Sequence, residues 1–205
     1  MAISLLDLIF PSNCIVCGKA PKPVCAGCSP PLEIAEVPGF GFPVFAAHIF
    51  DGAIAKLIAG YKDQQLTSLE RTLAAATSEL FAQLNLTNVS AVITPARNPK
   101  NFRKRGFDPV PQLAKRALRA NQVRIPVLSL SNSRARSDQR DLGRLEREAN
   151  VTGSMALRQK TTGEVVLFDD VLTTGSTVRE MARACEVAGV KVAFCCVLAQ
   201  KFSNS

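Results

Sequence analysis

A chain of 205 residues, 47% of them hydrophobic, can bury one full domain and carry a small appendage, which excludes a disordered polymer. Its net charge of +8 suits polyanionic company, such as phosphorylated metabolites or nucleic acid, without choosing between them. No apolar run approaches the roughly 18 to 20 residues that span a bilayer, so membrane insertion is not expected.

The first residues, MAISLLDLIFPSNC, place no Lys or Arg ahead of the apolar stretch, and Asp7 interrupts it, so no secretory signal is expected and the protein is assigned to the cytoplasm. In that compartment the seven cysteines read as thiols or metal ligands rather than disulfides. Residues 11–45 hold seven of the twelve prolines and four of the cysteines, a composition for turns rather than long helices or paired strands. Cys14-x-x-Cys17 and Cys25-x-x-Cys28 form two pairs that can supply the four thiolates of a closed, tetrahedral, structural Zn²⁺ site. With every position filled by sulfur, such a site leaves no room for an activated water. Residues 1–45 are therefore expected to be a zinc-ribbon-like unit with its linker, and residues 46–205 the main domain.

From Phe45 onward helical stretches alternate with short β-branched runs, the pattern of a parallel sheet covered by helices. Helices are predicted over 51–60 and 66–84, followed by a strand at 89–95. The stretch ARNPKNFRKRGF reads as a basic loop, PQLAKRALRA as a helix, and IPVLSL as a short strand. Residues 133–150 are rich in arginine. Strands at 155–157 and EVVLF, a helix over 176–188 and a last strand KVAFCCVL close the chain. Cys185, Cys195 and Cys196 sit in apolar surroundings and read as core. The single histidine, His48, reads as structural or exposed rather than catalytic.

The densest chemistry lies in VVLFDDVLTTGST, residues 165–177. A buried strand would present Asp169 and Asp170 at its carboxyl end, where open α/β sheets bind ligands. Backbone N–H groups of Val171, Leu172, Thr173, Thr174, Gly175, Ser176 and Thr177 can wrap an anion at the start of the next helix, with hydroxyls adding donors. Two acids beside a phosphate need another partner, and the two hydroxyls of a ribose are suitable donors to them. A nucleotide hydrolase would also end a strand in acids, but the chain has no GxxxxGK[ST]. A capped helix alone would explain Ser176 and not both aspartates.

This segment resembles the 5-phosphoribosyl-1-pyrophosphate (PRPP) signature of type I phosphoribosyltransferases. With the N-terminal Cys₄ unit, the whole chain resembles the competence protein F (ComF/GntX) family. Tyr61-Lys62-Asp63 stands where that family has a Lys-containing motif, RKRGFD at 103–108 is similar to its RGF[ND] loop, and Gln139, Leu142, Arg147, Asn150 and Gly153 match a further motif. The sequence departs from the pattern at Asp108-Pro109 and at Arg136. The resemblance implies a Rossmann-like parallel sheet with helices on both faces, PRPP as ligand, and a pyrophosphate loop at residues 97–105, with Arg97, Lys100 and Arg105 as its cations. It also implies a hood carrying Arg134. Arg136, Arg140, Arg144 and Arg147 follow in the same segment, and the competing reading of any one of these cations is a solvated surface charge. Transfer of a phosphoribosyl group asks for positioning and leaving-group neutralisation, with Mg²⁺ as the implied metal beside structural Zn²⁺. The expected function is transfer from PRPP to an unidentified acceptor. The alternative is a competence factor binding single-stranded DNA or the DNA-uptake machinery, with PRPP as regulator and no turnover.

Overall fold

A computed structural model of the chain describes residues 13–19, 22–133 and 152–201. The strands are β1 (Ala35–Glu36), β2 (Val44–Ala46), β3 (Val89–Thr94), β4 (Val127–Ser129), β5 (Ser131–Asn132), β6 (Met155–Ala156), β7 (Glu164–Leu172) and β8 (Lys191–Gln200). Helices α1 (Gly52–Lys62), α2 (Glu70–Gln83), α3 (Pro99–Arg105), α4 (Pro109–Ala120) and α5 (Ser176–Val187) alternate with them. Six strands form one sheet in the order β1-β2-β8-β7-β3-β4, parallel except for the β1–β2 pair, and β5 with β6 forms a separate antiparallel ribbon. The mixed α/β class and mostly parallel sheet agree with the expectation.

Alternation along β7 decides which helices cover which face. Val166 and Phe168 pack with Leu57 and Ile58 of α1, Leu80 and Phe81 of α2 and Leu113 of α4. Val165 and Leu167 pack with Val178, Met181 and Cys185 of α5 on the opposite face. Cys185, Cys195 and Cys196 are buried in these two cores, as their apolar neighbours suggested.

Three local readings are corrected. The basic stretch after β3 is a helix, α3: Asn98 caps it by accepting hydrogen bonds from the backbone N–H groups of Lys100 (3.0 Å) and Asn101 (3.2 Å), Pro99 occupies the first turn, and Gly106 closes it with φ of 75°. β7 runs four residues past Phe168, because β8 goes on pairing with it up to Leu172–Gln200. Proline-rich residues 35–46 contribute β1 and β2, and β2 lies parallel to β8 through Val44–Cys195, Phe45–Cys196 and Ala46–Val197. Among the described residues, no helix is long and apolar enough to cross a membrane.

Candidate functional site

The partner strands of β7 stop at different places. β3 pairs with it only as far as Ile93–Leu167 and then turns away at Pro95, whereas β8 continues to Leu172. Beyond Leu167 one edge of β7 is therefore open. A cleft of about 380 Å³ forms there, lined by Lys62, Arg97, Arg105, Asp108, Met155, Asp169, Asp170, Thr173 and Thr177 among others. It lies at the carboxyl ends of the strands, where crevices of open α/β sheets take ligands.

The period of two that sorts the core also separates the two acids. Asp170 follows Val166 and Phe168 onto the α1 face, where the last residue of α1, Lys62, reaches it with Nζ 2.8 Å from Oδ2. Burial opposes the Lys62 charge, but the carboxylate outweighs it and the ammonium is held more firmly protonated. Asp169 follows Val165 and Leu167; its Oδ1 accepts the backbone N–H of Asp170 at 2.8 Å. Both acids are almost fully enclosed, at 8% and 5% exposure. Burial first, then the neighbouring Asp170, pushes the Asp169 carboxyl up to about 8.

The opposite wall is cationic. Arg97 stands at the exit of β3, its Nε 3.4 Å from Asp108 Oδ2 and its guanidinium 4.1 Å above the Phe102 ring. Burial raises the Asp108 pKa, and the Arg97 contact works against that rise. Arg105, on the last turn of α3, pairs with Asp63 Oδ1 at 2.9 Å. Lys100 is exposed on the first turn of α3 and does not line the cleft. Arg134 and the other hood positions 136, 139, 140, 142, 144, 147 and 150 lie outside the described residues; Gly153 is within them.

Val171 and Leu172 remain in β7, paired with Ala199 and Gln200, so the turn proper is Thr173–Gly175 and α5 begins at Ser176. Gly175 adopts φ of 80°, and a Cβ there would meet Arg179 Nη1 at 2.6 Å and Phe40 Cζ at 2.7 Å. Arg179 donates to Thr174 O and Gly39 O, both at 3.0 Å, and lies 4.4 Å from the centre of the Phe40 ring. Residues 39–40 thus back the turn from outside the sheet. Phe40 and Arg179 carry no motif that would mark them in the sequence. Lys62 did carry one, in Tyr61-Lys62-Asp63.

Against α1, the four ligand atoms of Cys14, Cys17, Cys25 and Cys28 lie within 4.8 Å of one another. Backbone N–H groups of Cys17 and Cys25 hold the Cys14 thiol down to about 6, with Cys25 N 3.5 Å from its sulfur, while hydrogen bonds among the side chains, that from Cys25 first, push Cys28 up to about 12. Lys56 Nζ donates to Val16 O at 3.0 Å, fixing this knuckle to α1. Four converging sulfurs are a donor set that suits a tetrahedral soft metal. His48 is buried near Cys28, away from the cleft, and burial lowers its pKa.

A family profile described as "Phosphoribosyl transferase domain" matches residues 65–204, more than half of the chain. No curated protein sequence matches it. Among solved structures, orotate phosphoribosyltransferase from Aeropyrum pernix is 20% identical at a TM-score of 0.38, over 71% of this chain and 64% of that one, so this chain spans less than two thirds of that enzyme's length. Adenine phosphoribosyltransferase from Leishmania donovani is 10% identical at 0.47, over 82% and 75%. The adenine enzyme from Rhodothermus marinus is 18% identical at 0.39, over 82% and 81%.

Proposed function

From the premise that this chain belongs to the phosphoribosyl transferase domain family, we propose that it binds PRPP in the cleft at the end of β7 and transfers the phosphoribosyl group to an acceptor. The observation that carries the reading is the pair of enclosed acids, Asp169 and Asp170, set between an N–H-rich turn and a cationic wall. That order of chemistries matches a molecule with a phosphate at one end, a ribose in the middle and a pyrophosphate at the other.

In this proposal the turn Thr173–Gly175 and the first N–H groups of α5 hold the 5-phosphate, with the Thr173 and Thr177 hydroxyls adding donors. Asp169 and Asp170 accept hydrogen bonds from the ribose hydroxyls. Lys62 neutralises Asp170, so the acid does not repel the neighbouring phosphates. Arg97 and Arg105 face the pyrophosphate. In the transfer the bond between C1 and the pyrophosphate oxygen breaks, the departing electron pair leaves with pyrophosphate, and a nucleophilic atom of the acceptor forms the new bond to C1. The cations stabilise the charge gathering on the leaving group. The carboxylate oxygens of Asp170 also fit Mg²⁺, which when bound would supply further neutralisation of the pyrophosphate. Positioning is the main demand of this chemistry.

Nucleic-acid binding is less well supported, because the chain has no tryptophan and its one tyrosine, Tyr61, is buried and offers no stacking platform. Calorimetric titration of the protein with PRPP in Mg²⁺ should give one site with a Kd on the order of 10 µM, typical of enzyme substrates. Candidate acceptors would then be screened for pyrophosphate release. A folded protein that gives no PRPP heat would overturn the reading.

For the Cys₄ cluster we propose structural Zn²⁺. Elemental analysis of purified protein should find about one zinc per chain, and Cys14→Ser should lose it, because three sulfurs no longer close the tetrahedron. Retention of full zinc by that variant would show that the metal sits elsewhere.

A further inference from the structure

Helix α5 does more than begin at the phosphate turn. One turn further on, Glu180 is buried to 2% exposure and accepts four hydrogen bonds: from Gly153 N (3.0 Å), from Met155 N (2.8 Å), and from Arg183 Nε and Nη2 (2.7 Å each). Arg183 Nη2 also donates to Met155 O at 2.8 Å. Both backbone groups of Met155 are thus held by one ion pair. Met155 is the residue of β6 that lines the cleft.

The ribbon containing Met155 is fastened at its other strand as well. Asn132 of β5 pairs with Met155 across the ribbon, and its Nδ2 donates to the Arg97 carbonyl at 2.9 Å. Ser133 N donates to Ser154 O at 2.9 Å, closing the end of the ribbon. A continuous set of contacts therefore runs from α5, through β6 and β5, to the peptide of Arg97. Arg97 is the cation at the exit of β3, on the wall opposite the acids.

With Glu180 enclosed and Arg183 at 34% exposure the pair is only half-buried, and such ion pairs add little to stability alone. What the Glu180–Arg183 pair supplies here is a fixed place for two N–H groups and one carbonyl beside the cleft. We propose that Glu180 and Asn132 are positioning residues: together they brace the β5–β6 ribbon between α5 and Arg97 and so set the pyrophosphate end of the cleft. The inference rests on the reading of the cleft as a PRPP site.

The test uses two ligands. PRPP with Mg²⁺ and ribose 5-phosphate, which lacks the pyrophosphate, are titrated into wild type, Glu180→Gln, Asn132→Ala and the double variant, with melting temperatures alongside. The expected result is about tenfold weaker PRPP binding in each single variant and ribose 5-phosphate binding within about twofold of wild type. The double variant should lose less than the product of the singles, because both act through one ribbon. Equal loss of both ligands, or PRPP affinity unchanged in folded variants, would overturn the brace while leaving the PRPP reading standing. Wild type that binds neither ligand would remove the PRPP reading, and the brace with it. Asn132 is exposed, so its variant carries the test if Glu180→Gln does not fold.

Discussion

Asp170→Asn should weaken PRPP binding about 100-fold while the protein stays folded. A charged acceptor is worth about 1.5–3 kcal/mol per hydrogen bond, and the ribose presents two hydroxyls to the acid pair, so losing the charge at Asp170 removes on the order of 3 kcal/mol of binding. An opposing effect exists: Lys62, 2.8 Å away, loses its partner and becomes free to attract phosphate. That attraction acts across a partly exposed side chain and is screened by salt, so it recovers only a small part of the loss, and more at low ionic strength than high. Lys62→Met separates the two effects. It leaves Asp170 as an unneutralised acid beside the ligand, and PRPP should bind roughly tenfold more weakly. Titration calorimetry at two salt concentrations measures both. An Asp170→Asn protein that binds PRPP as tightly as wild type, or more tightly, would mean that this carboxylate does not meet the ribose.

Asp169→Asn should change the pH dependence of stability. Because the folded Asp169 is pushed up to about 8 by burial and by Asp170, it holds a proton between roughly pH 4 and 8 that the unfolded chain has released. The folded state then binds more protons in that window, so stability is fully present below about pH 4 and falls as pH rises towards 8. The whole shift corresponds to on the order of 5 kcal/mol. Asparagine keeps an oxygen to accept the Asp170 N–H and cannot ionise. Thermal unfolding from pH 5 to 9 should show a falling melting temperature for wild type and a flatter line for the variant. At pH 9 the variant should melt higher by on the order of 10 °C. Parallel lines would show that Asp169 is already ionised at neutral pH, with Lys62 stabilising both acids.

Much of the cleft could be read in advance because its chemistry is local. Strand-forming Val165–Phe168, two acids and a hydroxyl-rich turn with Gly175 are consecutive residues, and each dictates its own conformation. The helix α3 was equally local, with Asn98-Pro99 at its start and Gly106 at its end, but the density of charge between them read as a loop. β1 and β2 gave less to read. They are two and three residues long within proline-rich sequence, and β2 exists because β8 offers it an edge.

By itself the sequence determined the class of fold, the succession of apolar strand, acids and hydroxyl-rich turn, and the convergence of four cysteines, since hydrophobic period, turn chemistry and CxxC spacing act over a few residues. The tertiary structure decided what those residues meet. That Asp169 and Asp170 part to opposite faces follows from the strand period, but Lys62 beside Asp170, Phe40 behind Gly175 and Arg97 tied through Asn132 to the ribbon held by Glu180 depend on contacts between segments far apart in the chain. Such contacts arise from the packing of whole elements, and no short stretch of residues encodes them.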